Sequence, residues 1–156
     1  MNWGKLEQAR VAGDVIGYTF HAGDLFHYGH LRQLEQSSEH CDYLVVGVLT
    51  DQAIASYKRL PIIPYPYRAA VYAALKCVDD VIAQDSRDTT ENLKNIRPHV
   101  LFHGSDWPEV PGAEWMKGSG GKLVVTRYFH GLSTTDIIRR IRAALLVEMG
   151  HKTAHG

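Results

Sequence analysis

The run Tyr43-Leu-Val-Val-Gly-Val-Leu49 decides the fold. It is apolar at nearly every position and of strand length, which is how a strand covered by helices on both faces of a parallel sheet reads. Upstream lies the apolar run Val15–Phe20, and downstream come Val81–Ala83, Val100–Phe102 and Leu123–Val125. Helical spacing fills the gaps between them. Tyr67, Ala70, Val71, Ala74, Leu75 and Val78 predict a helix over Tyr65–Cys77, and Ile137, Ile138, Ile141, Ala144 and Leu145 form the apolar stripe of a final helix, with Arg139, Arg140 and Arg142 off it. Further helices are expected through residues 88–96 and from His27 through Glu39. Strands alternating with helices imply an α/β fold, a Rossmann-like doubly wound sheet of about five parallel strands with flanking helices. One domain is expected over 13–149, with residues 1–12 as an N-terminal extension and 150–156 as a flexible C-terminal tail.

Composition bounds the function. The chain has 156 residues, 45% hydrophobic and 22% charged, enough for one core. Lys and Arg total 17 against 17 Asp and Glu, so no global basic field draws in nucleic acid and any polyanion must be bound locally. No apolar run reaches the roughly 18 residues of a membrane helix, and the first residues lack the apolar stretch of a signal peptide, so a soluble cytoplasmic protein is expected. Cys41 and Cys77 lack CxxC spacing and read as buried or free thiols.

In an open α/β sheet ligands bind outside the carboxyl ends of the strands, so the loops there are where chemistry is sought. Asp24-Leu-Phe-His-Tyr-Gly-His30 follows the first strand and places His27 and His30 on one face of a helix's opening turn. A helix N-terminus offers unpaired N–H groups to an anion, and Gly29 lets a phosphate approach the backbone. An HxGH here suits a triphosphate. With no third Cys or His at zinc spacing and no HExxH, no metal site is read from the sequence. Gly131-Leu-Ser-Thr-Thr-Asp136 opens the final helix, a second N-terminus with hydroxyls that is expected to hold a further phosphate of the same nucleotide; Ser133 or Thr134 can cap it, and Ser133 with Asp136 equally fits a plain capping box. Lys58 and Arg59 sit in a loop after the deciding strand, with Arg68 on the helix beyond. His103-Gly-Ser-Asp-Trp107 follows the fourth strand, so Gly104, Asp106 and Trp107 stand at the same edge. No GxxxxGK[ST], GxGxxG or GxSxG is present.

Taken together, DLFHYGH, the Lys58 loop, HGSDW and GLSTTDII resemble the HxGH nucleotidyltransferases over about residues 14–142, particularly the glycerol-3-phosphate, choline-phosphate and ethanolamine-phosphate cytidylyltransferases. LTDQAIASYKRLPIIPYPYR and NIRPHVLFHGSDW are similar to the cytidylyltransferase domains found with phosphoenolpyruvate mutase in phosphonate biosynthesis. The resemblance implies transfer of CMP from CTP to a small phosphonate or phosphoalcohol, releasing pyrophosphate, with Mg²⁺ carried mainly on the CTP phosphates and the protein a homodimer. It implies that His27, His30 and Lys58 are catalytic, and that Asp24, Gly29, Arg68, Gly104, Asp106, Trp107, Ser133, Thr134 and Thr135 bind the nucleotide, Asp24 near magnesium. Two segments depart from the pattern. Phe20-His-Ala-Gly-Asp24 stands where many members read GTFD or end the strand on glycine, and Tyr128 and His130 replace an arginine and an acidic residue. Two alternatives therefore stay open: an adenylyltransferase of the same superfamily acting on a flavin or sugar phosphate, and a catalytically silent nucleotide-binding module.

Overall fold

Strands β1 (Ile16–His21), β2 (Tyr43–Leu49), β3 (Asp80–Gln84), β4 (Val100–Gly104) and β5 (Lys122–Thr126) pair in parallel in the order β3-β2-β1-β4-β5. This is seen in a computed structural model that describes residues 1–105 and 109–153, with side chains described as far as Met149. The helices are α1 (Trp3–Ala12), α2 (Tyr28–Ser38), α3 (Asp51–Ala55), α4 (Tyr65–Ala73), α5 (Thr90–Ile96), α6 (Ala113–Gly118) and α7 (Thr134–Thr153). The deciding strand occupies its expected span, and every residue of β2 is buried. Alternation sorts its side chains: Tyr43, Val45 and Leu49 join the core on one face with Ile54, Leu93 and Ile96, while Leu44, Val46 and Val48 join the core on the other with Leu34 and Tyr72. Gly47 leaves room for the buried Tyr18 phenol, which donates to Gln84 Oε1 at 2.5 Å.

Strand order fixes where a ligand goes. The chain runs outward from β1 through β2 to β3 and then returns to place β4 on the other side of β1. The winding therefore reverses between β1 and β4, and the crevice beyond their carboxyl ends is the topological switch point.

Several expectations are corrected. Residues 3–12 are not a loose extension: Asn2 caps α1, and Leu6 and Ala9 are buried in the core. Only two of its residues, Leu6 and Ala9, face inward, too few to set a helical period in the sequence. The helix predicted over Tyr65–Cys77 ends at Ala73, because the chain must turn to bring Asp79 under β2, where its carboxylate accepts from the Leu44 N–H at 2.8 Å. Short helices α3 and α6 were not anticipated. Residues 150–153, expected as tail, continue α7. The α7 stripe is at most half-buried, at Ile137 and Ile138; Ile141 and Leu145 are 48% and 52% exposed.

Candidate active site

Loops following β1, β2, β4 and β5 converge on one cleft of about 300 Å³ at the switch point. It is lined by His27, Gly29, His30, Lys58, Gly104, Ser133, Thr134 and Thr135 among the residues anticipated from sequence. Asp106 and Trp107 lie outside the described residues.

The start of α2 is built differently from a bare helix end. His27 is its N-cap, and its Nδ1 accepts the Gly29 N–H at 3.0 Å, while His30 Nδ1 accepts the His27 N–H at 3.3 Å. The two imidazoles thus form a reciprocal capping box. Two backbone donors expected to meet a phosphate are consumed, Gly29's among them. In exchange, each ring is fixed in the tautomer that carries its proton on Nε2, the end left to meet a ligand. Burial depresses the basicity of both rings, and for His30 the neighbouring His21, His27 and Lys58 push further in the same direction. Near neutral pH the pair therefore offers uncharged N–H donors with ring centroids 4.0 Å apart.

At the second helix end, Ser133 Oγ accepts the Asp136 N–H at 3.1 Å and donates to the Asp136 carboxylate at 2.7 Å, so capping is realised. Thr134 Oγ1 donates to the Asp24 carbonyl at 3.1 Å, which joins the start of α7 to the loop before α2. The two helix N-termini accordingly border one cleft. Lys58 lines it from an exposed position, its ammonium 5.3 Å from the Tyr57 ring centroid; partial desolvation and Arg59 lower its basicity against the opposing effect of Asp24.

Two residues expected in contact with the nucleotide are internal struts instead. Asp24 is 5% exposed, and one carboxylate oxygen accepts the N–H groups of Ile62 and Ile63 at 2.9 and 3.0 Å while the other pairs with Arg59 at 2.9 Å. Burial alone would raise this carboxyl, but the Ile63 and Ile62 N–H groups and Arg59 outweigh it and hold it below the ordinary range. Asp24 therefore anchors the lysine loop. Arg68 is 1% exposed, and its guanidinium donates to the carbonyls of Ile63, Ala22 and Leu49 and pairs with Asp51 at 2.6 Å. It gathers the ends of β1 and β2, and Arg68 is not among the residues that line the cleft.

Sequence reasoning missed other lining residues: Thr19, Phe20, His21, Gln33, Tyr57, His103, Arg127, Tyr128 and Phe129. Strand-end position was the available signal for Phe20, His21, His103 and Arg127. The Arg127 backbone is held at both N–H and carbonyl by the Gln36 carboxamide, at 3.0 and 3.5 Å. Arg127 lines the cleft one residue before the Tyr128 that departs from the family pattern.

A parallel sheet with an HxGH helix start, a lysine loop and a hydroxyl-rich second helix start at its switch point defines a nucleotidyltransferase. The chain belongs to the cytidylyltransferase-like family, which matches residues 23–140. It is 38% identical over 141 residues to the Bifunctional protein HldE of Hyphomonas neptunium, covering 88% of this chain and 29% of that one. The chain thus spans less than a third of the length of such curated relatives. Among solved structures it is similar to the lipopolysaccharide core biosynthesis protein of Thermoplasma volcanium, with TM-score 0.65 and 25% identity over 75% of this chain and 98% of that one. The pantothenate synthetase of Thermus thermophilus shares the fold, with TM-score 0.55 and 14% identity over 78% of this chain and 59% of that one. Among the described residues no helix is long and apolar enough to cross a membrane.

Proposed function

We propose that the chain transfers a nucleoside monophosphate from ATP to a sugar phosphate, releasing pyrophosphate. The observation that carries the reading is the convergence on one switch-point cleft of two Nε2 imidazole donors, one lysine and the hydroxyls at the start of α7. The acceptor class is supported by the likeness to a lipopolysaccharide core biosynthesis protein, since such a core is built of sugars. Within the superfamily resemblance, a sugar phosphate acceptor goes with ATP.

A phosphate acceptor is already anionic near neutral pH, so its oxygen attacks the α-phosphorus without a general base. The new P–O bond forms in line as the bond to the bridging oxygen breaks, and that oxygen leaves with pyrophosphate. His27 and His30 would donate Nε2–H to the α- and β-phosphate oxygens, where charge builds in the transition state, without the penalty of burying a cation. Lys58 would bridge the acceptor's anion and the α-phosphate, while Thr135 and Arg127 would hold the departing pyrophosphate. As the family resemblance implies, Mg²⁺ would be carried mainly on the nucleotide's phosphates. Bound there it would supply charge neutralisation for the leaving group.

CTP with a phosphonate or phosphoalcohol is the competing pair, favoured by the likeness of the Lys58 loop to phosphonate-associated cytidylyltransferases. Pyrophosphate release with Mg²⁺ decides, using ATP and CTP against sugar phosphates, phosphonates and phosphoalcohols. ATP with a sugar phosphate is expected to give the highest kcat/KM. Preference for CTP with a phosphonate would replace this assignment, and silence of every pair would end the enzymatic reading.

A further inference from the structure

Four aromatic side chains close a circuit behind the HxGH turn. His30 stacks on Phe26 with centroids 5.6 Å apart and rings 20° from parallel; Phe26 meets Tyr72 edge-on at 5.2 Å; Tyr72 meets His21 edge-on at 5.6 Å; and His21 returns to His30 at 5.5 Å. Tyr72 comes from α4 and is fully buried, while His21 is the last residue of β1. The two are joined by a 2.9 Å hydrogen bond between the Tyr72 hydroxyl and His21 Nδ1. Gly23 makes the arrangement possible. A Cβ there would stand 2.5 Å from the Tyr72 ring, and its φ of +67° suits glycine. This is the same segment, Phe20-His-Ala-Gly-Asp24, that departs from the family pattern.

We propose that Tyr72 and His21 are positioning residues for the transfer step: with Phe26 they box the His30 imidazole so that its Nε2 stays aimed at the phosphorus under attack. The proposal rests on the nucleotidyl-transfer reading above. The direction of the central bond follows from the environment. Burial keeps the phenol protonated and lowers His21 to about 4, so the Tyr72 O–H donates and neutral His21 accepts at Nδ1. His21 is thereby held as the Nε2–H tautomer, turned toward the Gln33 side chain, and its ring becomes a rigid wall for His30. Closing His30 into a circuit with Phe26, Tyr72 and His21 restricts the ring rotation that an imidazole tied only by its capping-box bond retains. Since misplacement by about 1 Å can cost about 100-fold in rate, such restraint has kinetic value.

The test is Tyr72→Phe, which removes one oxygen and keeps the ring, beside His21→Asn. Each is assayed for kcat and for KM of both substrates, with folding checked by thermal melting. In parallel, protein labelled with ¹⁵N-histidine reports ring tautomers. Both variants are expected to lose about tenfold in kcat with KM for the nucleotide nearly unchanged, because alignment and not binding is lost. The ¹⁵N spectrum is expected to show His21 and His30 as Nε2–H forms in the native protein and His21 as a tautomer mixture in Tyr72→Phe. Native kcat in both variants would overturn the proposal, as would a rise in nucleotide KM at constant kcat, which marks His21 as a direct ligand. Failure of the underlying reading looks different: the unaltered protein would release no pyrophosphate with any pair. In that case the spectrum alone judges the box, and His30 signals unmoved by Tyr72→Phe would overturn it.

Discussion

Asp24→Asn separates a strut from a nucleotide ligand. Asparagine keeps one oxygen for the Ile62 and Ile63 N–H groups but replaces the other with an amide that faces the Arg59 guanidinium. A hydrogen bond to a charged acceptor contributes about 1.5–3 kcal/mol and one to a neutral acceptor about 0.5–1.5, so the two bonds together lose about 2 kcal/mol. Arg59 is 46% exposed, so breaking its ion pair adds no more than about 1 kcal/mol. The expected destabilisation is thus about 2–3 kcal/mol, a sizeable share of the roughly 5–15 kcal/mol that holds a typical domain. Urea unfolding followed by tryptophan fluorescence reads it as a midpoint lowered by about 1 M for a slope near 2 kcal/mol/M. Kinetics adds a second signature: the lysine loop loosens, so KM for the acceptor rises while nucleotide affinity holds. Unchanged stability together with lost Mg²⁺-dependent nucleotide binding would refute the strut and return Asp24 to the ligand role expected from sequence.

His27→Ala and His30→Ala are each expected to lower kcat by about 10²-fold or more with nucleotide affinity within a few-fold, since the Nε2–H donors act on charge that develops only in the transition state; equal losses in turnover and affinity by isothermal titration and steady-state assay would contradict this. Arg68→Met leaves Asp51 and three carbonyls without their donor and should cost about 3–5 kcal/mol in chemical denaturation, whereas a fully stable variant would show that the guanidinium is not the tie described. Stability should also fall on acidification from pH 7 to 5. His21 titrates near 4 and His30 lower still in the folded protein, against about 6.5 unfolded, so below 6.5 the unfolded chain takes up protons that the folded one refuses, at a cost on the order of 2–4 kcal/mol by pH 5. Urea midpoints that stay level across that range would mean the imidazoles are not buried neutral.

Much of this molecule was legible before its structure. β2 was readable because a strand covered on both faces has no polar positions to blur it, and the cleft was readable because HxGH and GLSTTD stand at helix starts that a parallel sheet places at one edge. What escaped was pairing. Asp24 and Arg68 carry the residue types of ligands, and only the fold reveals that backbone groups of residues 22, 49, 62 and 63 claim them first. The N-terminal helix escaped because two buried residues, Leu6 and Ala9, do not make a periodic signal. Tyr72 and His21 are distant in sequence, and nothing local announces that a glycine at 23 is the vacancy into which a tyrosine from another helix fits.

Asp24 touches both banks of the cleft at once. Its side chain holds the loop that carries Lys58, and its carbonyl holds Thr134 at the head of α7. One residue therefore ties the edge that carries Lys58 to the edge where α7 begins. Displacing either rim must strain a bond made by the same residue, so the spacing between the two rims is set from one point in the chain.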